Sequence, residues 1–517
     1  MIIFLLLIYT TVMSIPRYFD IDSSDYVPNQ SIQEFEWYPY NEDSNNVVGS
    51  TRYSIQTKNK GAMMRLAQAR LEVKCRLVTA AGAAPTSATN ANIHEDPDTL
   101  IAPINSAWHL FSNVRALLNN QEIYNSPYTG KEHLIRHLVH YDKEYAKTVG
   151  SQVIFYPDTA TDNHEYANAN PIIAGFKAEN GKIRDVGTAG SITGSLNKFL
   201  LGKAGANTVT TARDNPDFNS GYLKRYKLFN TRERIKDVTL WLPISEVIPF
   251  FADYDRLMTG VTFQLILNKN TNHQSYLYGD RNGEDLKIDI RDIKLWVPEI
   301  KPSIEVAPEL TEKFMSSSRS IIYRDVVGYR SPTYAGGGTG SRSWNVATTI
   351  SKPLKAYVAF QFINRDSQYA LNGGEFEMLF KTIGIRVNGQ YLPNTKLDVN
   401  PDEATGSYDN GRILQEIHRA GGKDIDSDDS AIITKDNWPK IYPIVVFDLE
   451  DKAEGLFKNN LAHVVLEWTE HESKDQAGAS PAPPLAGLGD YHVYMILETE
   501  RGLKLDYAQS RLNVLFK

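Results

Sequence analysis

Short runs in which apolar and polar residues alternate make up much of the chain. In residues 71–77 every second residue is apolar, and in residues 356–362 Ala356, Val358, Phe360 and Phe362 share one side. A period of two is typical of a β-strand with one buried face. Gly, Asn, Asp and Pro bound many of these runs, as they do between strands. The pattern therefore predicts a mainly β fold.

Two segments resemble each other and predict a repeated β-hairpin. Residues 110–125 and 379–394 align without a gap and share an initial Leu-Phe, a turn Asn, the Gln after the turn and a closing Asn. Their matched apolar positions are Val114 and Ile383, Leu118 and Val387, and Ile123 and Leu392.

Both segments carry a turn signal at the same place. Asn388-Gly389 is typical of a type I′ turn, because both central residues need a positive φ, which Gly adopts freely and Asn tolerates. Asn119-Asn120 is the weaker form of the same signal.

The resemblance continues in the same order after the hairpin, which indicates two whole domains of one fold in tandem. A repeat of roughly 200 residues is far longer than that of a solenoid or propeller. The matched segments are 238–242 with 444–449, 261–267 with 462–468, and a final strand at 286–296 with one at 503–516.

The length of 517 residues suits two cores rather than one. Pro298, Pro302 and Pro308 interrupt strand and helix patterns and place a linker between the domains. The predicted limits are an apolar segment and extended arm at 1–49, a first domain at 50–300, a linker at 301–317 and a second domain at 318–517.

The first domain contains the larger insertion. Residues 126–237 separate its hairpin from its next shared strand, whereas residues 395–443 do so in the second domain. The longer insertion includes a predicted helix around 131–147 and an Ala, Gly, Asn and Thr-rich tract around 163–219. Loops of this size in a compact domain are usually functional surfaces.

Residues 1–12 are apolar but lack a basic start and a clear cleavage site. They are either a secretory or membrane segment or upstream codons joined to a gene that begins at Met13. We favour the second interpretation, and we expect no transmembrane span, because the segment is too short to cross a bilayer as a helix.

Charge and cysteine content narrow the function classes. With 55 basic and 62 acidic residues, the net charge of −7 offers no broad positive field for nucleic acid. The single cysteine, Cys75, lies on the apolar side of an alternating run, so we expect a core residue, and no disulfide within the chain is possible.

Three histidines could face one side of the predicted helix. His133, His137 and His140 stand at i, i+4 and i+7, a spacing compatible with metal binding through neutral imidazoles. Leu134 occupies the position of the general-base Glu in the zincin pattern. We predict a polar helix face under a surface loop rather than a metal site.

The remaining motifs are incomplete. Asp424, Asp426, Asp428 and Asp429 alternate like calcium-loop ligands, but Asp429 replaces the turn Gly and no Glu closes the loop. Lys182 and Lys203 follow glycines without the phosphate-loop spacing, and residues 190–194 miss the nucleophile elbow. We predict no catalytic, cofactor-binding or metal-binding residues, and no enzyme activity.

A further set of segments resembles a known family. Residues 71–78, then Ile104-Asn105 leading to Leu110-Phe111 with Leu118-Asn119, then the Tyr, Leu and His residues of 128–141 are similar to the major capsid protein of Polinton (Maverick) elements and adintoviruses. The resemblance covers the first domain and reaches the second only through the tandem repeat.

The resemblance implies a double jelly roll, two eight-stranded antiparallel β-sandwiches with loop and helix insertions. It also implies homotrimers that form pseudo-hexameric capsomers of an icosahedral shell, contacts with neighbouring capsomers and a single jelly-roll penton protein, and no catalytic residues. The implied location is the virion capsid, assembled in the nucleus or cytoplasm of the host cell. The alternative is a secreted two-domain β-sandwich that binds or hydrolyses carbohydrate.

Overall fold

A computed structural model describes most of the chain from residue 32 onward. The residues outside the description are 1–31, 44–48, 58–60, 84–99, 159–175, 180–181, 186–219, 230–235, 281–285, 316–317, 336–339, 364–375, 377–379, 400–409, 424–430, 436, 439–440, 451–460, 471–489, 507–510 and 517.

Strands dominate the described residues. They are β1 (Ile32–Tyr40), β2 (Ser50–Ile55), β3 (Met63–Met64), β4 (Arg70–Thr79), β5 (Leu100–Pro103), β6 (Phe111–Leu118), β7 (Gln121–Ser126), β8 (Phe176–Glu179), β9 (Lys182–Asp185), β10 (Val238–Pro243), β11 (Phe263–Lys269), β12 (Leu277–Asp280), β13 (Leu286–Pro302), β14 (Ser318–Arg330), β15 (Ser341–Ile350), β16 (Pro353–Phe362), β17 (Phe380–Val387), β18 (Gln390–Asp398), β19 (Val445–Asp448), β20 (Ala462–Glu470), β21 (Tyr491–Asp506) and β22 (Arg511–Phe516). The helices are α1 (Thr129–His140), α2 (Lys143–Lys147), α3 (Ser220–Phe229), α4 (Pro249–Asp253), α5 (Ala307–Met315) and α6 (Gly411–Ala420).

Two sandwiches with the same strand order follow each other along the chain. The first pairs its strands as β1-β13-β4-β10 and β2-β11-β6-β7, and the second as β14-β21-β16-β19 and β15-β20-β17-β18. If the eight main strands of each domain are counted in chain order, both give 1-8-3-6 in one sheet and 2-7-4-5 in the other. All these pairs are antiparallel. This is the double jelly roll predicted from the sequence.

The two predicted hairpins occupy equivalent positions. β6–β7 and β17–β18 each end one sheet of their domain. The turn residues adopt the predicted left-handed backbone, with φ of 48° and 63° at Asn119 and Asn120, and 50° and 85° at Asn388 and Gly389. The sequence match therefore reflects a shared local structure.

The prediction for the final strand of the second domain was wrong. The counterpart of β13 is β21, which ends at Asp506, and β22 is an additional strand. Residues 503–516 contain the end of β21 and the whole of β22. The two strands are antiparallel, and Val514 of β22 pairs with Leu503 of β21. An apolar run interrupted by a chain reversal resembles one long strand in the sequence.

Part of the predicted extended arm is a sheet strand. β1 pairs along its length with β13 at the edge of the first domain. Most of its side chains are exposed or half-buried, which explains why its sequence lacks a clear apolar face. Tyr40, at its end, is buried and donates a hydrogen bond to Glu299 of β13.

The proline-rich linker region is regular structure. Pro298 lies within β13, beyond Trp296, where the pairing with β4 ends, so the missing N–H interrupts no bond to β4. Pro308 lies in the first turn of α5, where a helix tolerates proline.

The prediction of two separate cores was wrong, because the buried apolar residues of both domains form one connected core. Leu71, Val73, Cys75 and Leu77 alternate into it from β4, as predicted, and burial raises the pKa of the Cys75 thiol to about 12. β16 differs from the prediction of one buried face, because Ala356 through Phe360 are all buried. On its second face, Tyr357 contacts His140 of the first domain, and Lys355 donates to the Ala420 carbonyl of α6.

The helix predicted around residues 131–147 is two helices. α1 ends at His140, and the side chain of Asp142 accepts a hydrogen bond from the Tyr145 N–H to cap α2. An Asp at this position favours a helix start over continuation.

Candidate functional site on helix α1

Helix α1 lies between the two domains and is almost entirely buried. It directly follows the β6–β7 hairpin of the first domain. Residues four apart lie on one side of a helix, which gives α1 two polar stripes. His133 and His137 face the first domain, whereas Glu132, Arg136 and His140 face the second.

The first stripe forms a cluster with a glutamate. His133 Nε2 lies 3.1 Å from Glu246 Oε2, and His137 Nε2 lies 4.0 Å from the same oxygen. The two imidazole rings stack with centroids 3.6 Å apart. Glu246 ends a short 3-10 turn directly after β10, which brings its carboxylate to the helix.

The outer atoms of this cluster have their own partners. His133 Nδ1 lies 2.9 Å from Ser106 Oγ, and the Tyr145 hydroxyl donates to Glu246 Oε1 at 2.5 Å. In contrast, neither ring nitrogen of His137 has a hydrogen-bond partner among the described residues.

Burial sets the charge of both histidines. It lowers the pKa of His133, although Glu246 opposes the shift. Burial, reinforced by repulsion from His133 and Arg136, lowers the pKa of His137 well below its usual range. Both shifts favour the neutral imidazole.

The second stripe carries the contacts to the second domain. Arg136 Nε donates to Glu498 Oε1 of β21 at 3.0 Å, and His140 Nε2 lies 2.6 Å from the Tyr357 hydroxyl of β16. Burial raises the pKa of Glu498, but Arg136 and its other cationic neighbours outweigh it and hold that pKa below its usual range. Burial lowers the pKa of His140 to about 4.

Glu132 is the third member of this stripe and is a buried carboxyl group. It accepts hydrogen bonds from Tyr124 at 2.8 Å and Ser126 at 2.5 Å. Burial nevertheless raises its pKa to about 7. A Cβ at Gly328 of β14 would lie 2.3 Å from Glu132 Oε1, so only glycine fits against it there.

Further polar contacts join the domains away from α1. Arg501 donates a hydrogen bond to Asp325 at 3.1 Å within the second domain. It also donates one to the Glu122 carbonyl of the first domain at 2.9 Å. The Tyr442 hydroxyl donates to the Asp158 carbonyl at 3.0 Å. The two sandwiches are thus held together by buried, directional contacts.

The predicted polar face under a loop was wrong, since His133 and His137 are buried and His140 points elsewhere. His140 leaves the cluster because it belongs to the stripe of Glu132 and Arg136. The sequence did not reveal Glu246, which is 113 residues from His133. No local spacing could signal that pairing.

The other candidate residues lie mostly outside the described part of the chain. Asp424, Asp426, Asp428 and Asp429 lie outside the described residues, as do Lys203 and residues 190–194. Lys182 begins strand β9. In the described part of the chain, no helix is long and apolar enough to cross a membrane.

No protein-family model and no curated protein sequence matches the chain. Several solved structures, however, match the structure of this chain. A chain in the 3.5 Å cryo-EM structure of the Sputnik virophage is 10% identical with a TM-score of 0.54, over 97% of this chain and 92% of that one. The mavirus major capsid protein gives 10% identity and a TM-score of 0.45 over 98% and 94%. The Faustovirus major capsid protein is 8% identical with a TM-score of 0.44, over 93% of this chain and 92% of that one. The first likeness shows a shared fold over nearly the whole chain.

Proposed function

We propose that this chain is a structural major capsid protein that self-assembles into an icosahedral virus-like shell. The observation that carries the proposal is the fusion of two jelly rolls of identical strand order in one chain. Jelly rolls recur in viral capsid domains. The shared fold with a chain of the Sputnik virophage, over nearly the full length of both, supports a role in a virus-like particle.

The assembly unit we propose is a homotrimer. Six sandwiches in a ring approximate a hexagon, and a chain with two sandwiches provides six only as three copies. Each copy then presents different surfaces to its two neighbours, and threefold rotation closes the ring. For an obligate trimer we expect each interface to bury more than roughly 2,000 Å².

Apolar side chains on edge strands offer surface for such contacts. On β1, Phe35 and Trp37 are 48% and 38% exposed, and on β22, Val514 and Leu515 are 39% and 47% exposed. Exposed apolar groups of this size are typical of protein interfaces when they cluster.

The similarity of the first domain to Polinton and adintovirus capsid proteins supports a virus or virus-like element as the source. We accordingly propose that neighbouring capsomers and a single jelly-roll penton protein are the partners, and that assembly takes place in the host nucleus or cytoplasm. We propose a purely structural role, with the first domain beginning at or before β1 and the second at β14.

The carbohydrate-binding alternative would need exposed aromatic rings beside carboxylates. Trp37 is exposed, but successive residues of a strand point to opposite faces, so Glu36 lies on the other face of β1. This arrangement does not favour a sugar platform on β1.

Light scattering on the purified full chain tests the proposal. We expect three times the 58.2 kDa chain mass, maintained on dilution to the micromolar range. Electron microscopy of concentrated protein should then show hexagonal particles or shells. A stable monomer, or binding to a glycan array by a monomer, would refute the capsid proposal.

A further inference from the structure

The cluster of His133, His137 and Glu246 has the donor set and spacing of a transition-metal site. Its three candidate ligand atoms all lie within 4.8 Å of one another. A tetrahedral zinc ion, with bonds of about 2.0–2.1 Å, sets its ligand atoms about 3.3 Å apart. Glu246 Oε2 lies 3.1 Å from His133 Nε2 and 4.0 Å from His137 Nε2, on either side of that value.

His137 supplies an independent reason to expect a ligand. Its side chain is 3% exposed, and neither ring nitrogen has a partner within the described chain. A buried polar atom without a partner is costly, and native proteins rarely leave one. A metal ion would give one of these ring nitrogens a partner.

The surrounding groups orient the other two ligands. Ser106 holds His133 through Nδ1, and Tyr145 holds Glu246 through Oε1, at 2.9 Å and 2.5 Å. Both contacts leave His133 Nε2 and Glu246 Oε2 facing each other, and a metal ion would take the place of the proton that they share. Metal-binding histidines and carboxylates are commonly fixed in this way by second partners.

We propose that His133, His137 and Glu246 bind one divalent transition-metal ion of the zinc type, which ties helix α1 to the turn after β10. Imidazole nitrogens suit zinc, cobalt or nickel, whereas calcium and magnesium favour oxygen ligands.

The site we propose is structural rather than hydrolytic. Leu134 replaces the glutamate that would activate a water in the zincin pattern. Phe155, Tyr141 and Tyr145 pack around His137, with ring centroids 5.7 Å, 4.3 Å and 5.9 Å from it. The ion would brace the helix that also carries Arg136 and His140 to the second domain.

Metal addition to the full chain tests the proposal. Protein treated with a chelator and then dialysed should bind one Zn²⁺ per chain by elemental analysis. Co²⁺ should give the absorption bands of a tetrahedral site, and Zn²⁺ should displace them. We expect saturating Zn²⁺ to raise the melting temperature by about 3 °C or more.

Two variants separate this site from adventitious binding. His137→Phe keeps the ring stacking but removes a ligand, and should abolish the Co²⁺ bands and the Zn²⁺-dependent rise. His140→Gln changes a histidine of the same helix outside the cluster, and should keep both. Failure of the wild-type chain to bind either ion, or equal binding by His137→Phe, would overturn the proposal.

Discussion

Asn388 and His463 exchange two hydrogen bonds across the sheet of the second domain. The Asn388 N–H donates to the His463 carbonyl at 2.9 Å, and Asn388 Oδ1 accepts from the His463 N–H at 2.8 Å. Asn119 and Thr262 repeat this pair in the first domain, at 2.9 Å and 2.7 Å. The turn asparagine therefore has two tasks, a positive φ and a side-chain bond to the next strand.

Substituting Asn388 should separate those tasks. Asn388→Ala loses both, and we expect it to lower the free energy of unfolding by about 2 kcal/mol. Asn388→Gly keeps the backbone freedom and loses only the side-chain bond, for about 1 kcal/mol. Urea unfolding measures both, with exposed Gln390→Ala as the control. Equal losses for the two variants would contradict the dual role.

Substitution of Gly389 in the same turn should be destabilising because of its positive φ alone, and not because of a steric clash with neighbouring residues. A Cβ at Gly389 would meet nothing within 4 Å, but its φ is +85°. Gly389→Val should therefore cost about 1–2 kcal/mol or more. Asn120→Gly, at a φ of 63°, should change stability by less than about 0.5 kcal/mol. Melting temperature and soluble yield report the difference, and similar behaviour would argue against the turn geometry.

Glu132 should make stability fall as pH rises. Burial raises its folded pKa from 4.5 to about 7, so the folded state holds a proton that the unfolded state releases in this range. The associated stability is present below pH 4.5 and is lost as pH rises through 7. The loss should reach up to about 3 kcal/mol.

Comparison with Glu132→Gln isolates this effect. The buried histidines have lowered pKa values and act in the opposite direction, at acid pH, but they cancel in the difference between the two proteins. We expect the variant to gain stability relative to wild type between pH 5 and pH 8 in urea titrations. A difference that does not change with pH would rule out the raised pKa.

The exposed aromatic residues of β1 should matter for assembly rather than folding. Trp37→Ser should weaken trimer formation by about tenfold or more, because it removes apolar area from an interface. The melting temperature of the dissociated chain should change little. Glu36→Gln, on the opposite face, is the matched control. Sedimentation velocity across a dilution series measures the effect, and an unchanged trimer for Trp37→Ser would place the interface elsewhere.

The features that were predicted correctly from the sequence depend on residues close together in the chain. The hairpins and β4 depend on turn residues and alternation within a few positions, and these predictions were confirmed. The polar contacts of α1 depend on distant partners, since Arg136 and Glu498 are 362 residues apart. β1 was missed for a different reason, because an edge strand with little buried surface leaves no periodic pattern. Fold class is thus encoded locally, whereas the α1 site is encoded by topology.

The pairing of β1 with β13 has a consequence for synthesis. The first and last strands of the first domain are neighbours, so Ile32 faces Pro302 across the sheet. A nascent chain cannot complete this sheet until the ribosome has released residue 302, and the second domain repeats the delay with β14 and β21. Such long-range closure slows folding and leaves strand edges open in the meantime. A newly made chain is therefore exposed to wrong pairing of its strand edges for as long as β13 or β21 has not been made.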